Sequence, residues 1–101
     1  MSRSVRPYSL SPLAETDLEE IWLYTFKHWS PQQADRYHHQ IIATIEGLAA
    51  GVKAGRPATV REGYFKYPVG SHVVFYRQSD SNFDVIRILH RRMDVAAHLQ
   101  E

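Results

Sequence analysis

The chain has 101 residues, 44% of them apolar and 23% charged, with 12 Lys plus Arg, 11 Asp plus Glu and no Cys. That length suits a single domain spanning residues 1–101, and the apolar content is that of a packed globule, which excludes a second core and wholesale disorder. The lack of Cys excludes disulfides, thiolate metal sites and a Cys nucleophile and suits a reducing, cytoplasmic setting, while the short apolar runs exclude a helical membrane span and residues 1–10 carry no signal-peptide pattern. Charge is unevenly placed. Four Lys or Arg against six acids leave residues 1–50 at −2, and eight against five leave residues 51–101 at +3. This permits an acidic partner near the C-terminal half without demanding nucleic acid.

Arg6-Pro7-Tyr8-Ser9-Leu10 is a short extended opening, because Pro7 disfavours helix before it. Ser11-Pro12 then supplies an N-cap followed by Pro at the first helical position. Ala14, Leu18, Ile21, Trp22, Thr25, Phe26 and Trp29 recur at helical spacing and predict a helix over residues 12–28. Glu15, Asp17, Glu19 and Glu20 fall early in it, where the helix dipole favours acids. Ser30-Pro31-Gln32-Gln33 repeats the start signal as a capping box, with Ala34, Tyr37, Ile41, Ile45, Leu48 and Ala49 as a second stripe and Gly51 as the stop. The short connection makes the two helices an antiparallel hairpin, and their wide stripes need a sheet to cover them.

Residues 53–59, with Gly55 and Pro57, are expected to be a loop. Residues 62–67 form a strand ended by Pro68, Gly70 marks a turn, and residues 72–77 and 83–90 form a hairpin around Asp80-Ser81-Asn82. Asp94 is placed to cap a last helical turn through Leu99. Helices followed by strands argue an α+β fold: an N-terminal strand, an antiparallel helical hairpin on a small antiparallel sheet, and a short C-terminal helical stub. A dozen large buried side chains, each worth about 1.5–3 kcal/mol, make an adequate core.

Among candidate chemical groups, His38 and His39 are adjacent on the second helix and point about 100° apart, which is not metal-ligand spacing. His28, at a helix end, is placed to meet terminal carbonyls. His72 and His90 fall at neighbouring ends of two paired strands. Alternation places His72, Val74 and Tyr76 on one face, and Ile86, Ile88, His90 and Arg92 on one face of the next strand. If the faces coincide, His72, His90 and Arg92 form a polar cluster at one end of the sheet: an acid–base pair, or imidazoles tied to backbone. His90-Arg91-Arg92-Met93, with Arg77 and Arg87, is either a basic surface for phosphate or an acidic protein, or a solvated strand end. Tyr64, Tyr67, Phe75 and Tyr76 either stack on bases or line the core. No phosphate loop, nucleophile elbow or paired carboxylates occur.

The segments Tyr67-Pro68-Val69-Gly70-Ser71-His72-Val73-Val74-Phe75-Tyr76-Arg77 and Val85-Ile86-Arg87-Ile88-Leu89-His90-Arg91-Arg92-Met93-Asp94 resemble the strand signatures of ParE-type toxins. The opening from Tyr8 to Trp22 is similar as well. The resemblance to the ParE/RelE toxin superfamily of bacterial type II toxin–antitoxin and plasmid-stabilisation modules covers about residues 6–99. It implies the fold already derived, and neutralisation by a ParD-like antitoxin in a toxin–antitoxin hetero-oligomer. The antitoxin is expected as an acidic-amphipathic segment in an apolar groove with basic edges, and Leu18, Ile21, Trp22 and Phe26 are the candidate contacts.

The superfamily divides into RelE-like enzymes that cut messenger RNA on the ribosome and ParE-like proteins that poison DNA gyrase. In the RNA-cutting branch an Arg commonly follows the Gly-x pair of the middle strand, and a Tyr or His often sits in the C-terminal stub. Here Gly70-Ser71 is followed by His72, and residues 93–101 hold no Tyr and only His98. The resemblance therefore favours a gyrase inhibitor with His90, Arg91, Arg92 and Met93 as the target-binding residues and no catalytic residue. The alternative is a ribosome-dependent endoribonuclease using His72, His90 and Arg92, and a further alternative is a non-toxic binding module. No cofactor, metal, membrane association or direct sequence-specific nucleic-acid binding is expected.

Overall fold

The computed structural model describes residues 6–99. Residues 1–5, half of the segment expected to lack a signal-peptide pattern, and residues 100 and 101 of the expected domain lie outside these residues.

The elements run β1 (Tyr8–Leu10), α1 (Pro12–His28), α2 (Pro31–Ala49), β2 (Arg56–Pro57), β3 (Phe65–Val69), β4 (His72–Gln78), β5 (Phe83–His90) and α3 (Val95–His98). Both long helices start as their sequences dictate. Ser11 Oγ accepts the Ala14 N–H and Ser30 Oγ accepts the Gln33 N–H, each at 3.0 Å, with Pro at the first helical position. α2 stops at Gly51, whose φ of +80° admits the left-handed turn that lets Gly51 and Val52 donate back to Leu48 and Gly47. Arg6 closes the same end: its guanidinium donates to the Leu48 and Ala49 carbonyls, complementing the negative end of the helix dipole.

The sheet has the order β1-β5-β4-β3-β2. β3 to β5 pair antiparallel as expected, β2 extends them antiparallel at the edge, and β1 adds a parallel pairing to β5, Tyr8 opposite Phe83 and Leu10 opposite Val85. Three local expectations change. The expected loop at 53–59 contains the two-residue strand β2, which pairs with Phe65 and Lys66 only. β3 is therefore an open edge at Pro68, where a missing N–H costs no ladder bond, and the strand runs through the proline to Val69. In β5 a bulge skips Ile86, since Phe75 pairs with Arg87 and Tyr76 with Val85. Ile86 consequently packs on the face opposite Ile88 instead of sharing one with it.

Two cores result. The helical hairpin covers one sheet face through Ile41, Ile45, Leu48, Val74, Tyr76, Phe83, Val85 and Ile88. On the other face Tyr64, Phe75 and Leu89 pack under Ala58 and Leu99, so the C-terminal stub is a lid on a second core. Tyr64, Phe75 and Tyr76 are thereby buried, which decides between the two readings of these aromatics in favour of the core. No helix of the described residues is long and apolar enough to cross a membrane.

Candidate functional site

β4 and β5 pair in a register that sets His72 directly opposite His90. Ile88 and His90 share a face with Val74 and His72, so the two imidazoles meet edge to face, with ring centroids 5.3 Å apart. The conditional expectation of a polar cluster at the sheet end is met for the two histidines. Arg92 does not join them. β5 ends at His90, the Met93 N–H turns back to the His90 carbonyl at 3.0 Å, and Arg92 contributes only its backbone N–H, which donates to His90 Nδ1 at 3.1 Å.

Tyr37 is the third member of the cluster and was read from sequence only as part of an apolar stripe. Its hydroxyl accepts the Ser71 N–H at 3.0 Å and lies 2.6 Å from His72 Nδ1 and 3.1 Å from the Val69 carbonyl. Gly70 makes this possible. A Cβ at Gly70 would stand 2.6 Å from the Tyr37 ring, and its φ of +56° is one that L side chains rarely adopt. Burial, reinforced by the neighbouring His90 and only partly offset by Asp17, pushes His72 down to about 4, and burial raises the Tyr37 phenol above its ordinary value. His72 is therefore a neutral imidazole at neutral pH.

Because His72 is neutral when folded but titrates near 6.5 when unfolded, the unfolded chain binds the extra proton between those values. The stability held above pH 6.5 should decline as pH falls from 6.5 toward 4. His72→Gln should flatten that part of a melting-temperature profile against pH. An unchanged slope would show that other groups govern it.

The cluster forms one wall of a cleft of about 750 Å³ between the hairpin and the sheet end, closed by Ile21, Tyr24 and Trp29 on the helical side and by Met93 beyond β5. Its charged lining is acidic, Asp17 and Glu20, and no Lys or Arg lines it among the described residues. Asp17 is not the surface dipole acid expected from its position. It is buried and accepts Arg87 Nε at 2.7 Å, Arg87 Nη2 at 2.8 Å and the Ile88 N–H at 3.0 Å. Arg87 also donates to the His98 carbonyl, fastening α1, β5 and α3 together. Its charge is thus spent internally, raising its own pKa through the Asp17 hydrogen bond, and is lost to the basic surface assigned from sequence. Arg77 is exposed opposite Asp84.

The remaining basic exit is the exposed turn of Arg91, Arg92 and Met93. The Arg91 N–H is anchored on the Ser71 carbonyl at 3.0 Å. Elsewhere His28 Nδ1 meets the Tyr24 carbonyl, as its helix-end position implied, and His39 Nδ1 meets that of Asp35.

A second depression of about 580 Å³ lies on the outer side of the hairpin, lined by Leu10, Leu18, Trp22 and Leu23 and by Glu15, Glu19, Asp35 and His38. Trp22 is held in place: its indole Nε1–H donates to Asp35 Oδ1 at 3.0 Å and its ring stacks on Phe26 at 5.3 Å, 8° from parallel. The four residues expected on one contact face separate here. Leu18 and Trp22 are half-buried in the depression and Phe26 is 43% exposed beside it, whereas Ile21 is 9% exposed and belongs to the core. The hundred-degree step of the helix turns Ile21 inward while Trp22 looks out. Trp29, at the hairpin turn, is 75% exposed.

Residues 8–95 match the family model described as the ParE toxin of the type II toxin–antitoxin system parDE. Toxin ParE1 of Mycobacterium tuberculosis (strain H37Rv) is 43% identical over 94 residues, covering 91% of this chain and 96% of that one. Toxin ParE1 of Caulobacter vibrioides is 42% identical over 96 residues, covering 94% and 99%. Among solved structures, a chain of the chromosomal ParDE system from P. aeruginosa superposes with a TM-score of 0.75 at 19% identity, covering 85% of this chain and 96% of that one. A chain of the toxin–antitoxin complex RelBE2 from Mycobacterium tuberculosis does so with 0.54 at 20%, covering 87% and 100%. At these identities the two structures speak for the fold alone.

Proposed function

Because the chain belongs to the ParE toxin family of type II toxin–antitoxin systems, we propose that an antitoxin silences it by docking on the outer face of the helical hairpin, and that the freed toxin inhibits DNA gyrase by binding it. The carrying observation is the chemistry of the sheet-end cleft. Its two imidazoles are tied to structural partners, and its charged lining is acidic.

Cutting RNA needs one group to deprotonate a ribose hydroxyl, another to protonate the leaving oxygen, and a cation on the phosphate. His72, neutral down to about pH 4, is a weak base and no acid at neutral pH. With Asp17 neutralised by Arg87, the unpaired charge of the lining is Glu20, which would repel a phosphate, and Arg92 stands outside the lining. These features support a docking protein over an endoribonuclease. The target-binding role falls to His90, Arg91, Arg92 and Met93. Arg91 and Arg92 are exposed, Met93 is 45% exposed, and His90, half-buried, faces the cleft beside them.

The test pairs two assays of the purified toxin: supercoiling by gyrase, and integrity of messenger RNA on translating ribosomes. Inhibited supercoiling with intact messages is the expected result. Cleaved messages with normal supercoiling would transfer the protein to the endoribonuclease reading.

On the antitoxin side, Leu18, Trp22 and Phe26 form the contact and Ile21 supports it from beneath. Trp22→Ala should weaken antitoxin binding by about 2 kcal/mol, the size of an interface hot spot. It should cost less in melting temperature, because the ring is only half-buried. Equal losses in titration and thermal unfolding would show that Trp22 is core.

A further inference from the structure

We infer that the groove around Leu18 and Trp22 selects a basic amphipathic segment, one carrying apolar anchors flanked by Lys or Arg, as the antitoxin's docking element. This rests on the reading that an antitoxin docks on the hairpin, and it specifies that partner's chemistry. The groove is apolar at its base, through Leu10, Leu18 and Leu23, and Trp22 is preset in it by Asp35 and Phe26, so an incoming side chain meets a fixed wall.

The rim decides the occupant. Glu15 and Glu19 stand one helical turn apart on α1, and Asp35 faces them from α2. Both glutamates are exposed, and neither has an ion-pair partner among the described residues. No Lys or Arg lines the groove, and His38 is its only basic lining residue among them. Three carboxylates around a low-dielectric floor concentrate negative potential over it. An acidic segment would be repelled, and a purely apolar one would strip the carboxylates of water without return. A segment with Lys or Arg beside its apolar anchors satisfies both parts. The sign is opposite to the basic edges expected from sequence, because none of the exposed arginines among the described residues, Arg36, Arg56, Arg61, Arg77, Arg91 and Arg92, lines this groove.

Two synthetic helical peptides of 16 residues, sharing one Leu and Trp anchor stripe and differing only in Lys or Glu at the flanking positions, are titrated against the purified full-length toxin. The Lys peptide should bind at least about tenfold more tightly, with the preference collapsing as salt rises. Trp22→Ala should remove binding of both. Glu15→Lys/Glu19→Lys should reverse the preference, while Glu46→Lys, outside the groove lining, should not; unchanged melting temperatures verify that the charge variants fold. Equal or preferred binding of the Glu peptide, binding of neither, or a Lys preference indifferent to Glu15 and Glu19 would overturn the inference. Pull-down with the cognate antitoxin tests the underlying reading apart from it. A toxin that takes the Lys peptide but no antitoxin keeps the groove's selectivity and removes the antitoxin as its source.

Discussion

Asp17→Ala is expected to cost about 3 kcal/mol or more, because it leaves a largely buried guanidinium without its counter-charge. For a domain of this size that loss corresponds to a melting temperature lower by more than about 10 °C. The carboxylate accepts three hydrogen bonds, two from Arg87 and one from the Ile88 N–H, and Arg87 in turn holds the His98 carbonyl. Removing the carboxylate therefore leaves an uncompensated cation and an orphaned backbone donor between α1 and β5, and strains the anchorage of α3. Asp17→Ala/Arg87→Met should recover part of the loss, since an apolar pair avoids the stranded charge. Chemical and thermal unfolding of the three proteins measures both effects. A single variant within about 1 kcal/mol of the parent would place the pair with exposed salt bridges of small worth.

Arg91→Ala/Arg92→Ala should raise the toxin concentration needed for half-maximal gyrase inhibition by at least about thirtyfold, as for two arginines at the centre of an interface. The anchor of the turn survives the change, because Arg91 is tied to Ser71 through its backbone N–H. Antitoxin affinity should remain measurable, since neither arginine lines the groove at Leu18 and Trp22. Growth after expression without antitoxin gives the cellular readout. Undiminished toxicity would remove these residues from the target contact.

Much of the fold was legible because its signals are local. Ser11-Pro12 and Ser30-Pro31 cap the helices, Gly51 ends α2, and runs of β-branched and aromatic residues mark β4 and β5. The bulge at Ile86 was not legible, because one extra residue in a strand leaves no mark in the apolar pattern and yet inverts the faces beyond it. The parallel docking of β1 was not legible either, since three residues carry too little pattern to choose a partner. At the candidate site, proximity of His72 and His90 was conditional on register, and the register supplied it. Tyr37 was hidden for a different reason. A tyrosine in a helical stripe looks like core until the glycine that makes room for its hydroxyl, Gly70, is known to lie against it. Asp17 was hidden likewise, because an acid in the early part of a helix suits the dipole whether or not an arginine seventy residues away reaches it.

On the proposed reading this toxin acts by docking onto its target, with no bond-breaking chemistry of its own. Direct binding of the purified, antitoxin-free toxin to purified DNA gyrase, followed by interferometry in parallel with the Arg91→Ala/Arg92→Ala variant, tests it most immediately. A saturable complex that the variant forms at least about thirtyfold more weakly is the expected result. No complex with gyrase, from a preparation that cuts messages in a translation extract and loses that ability on substitution of His72 or His90, would contradict it.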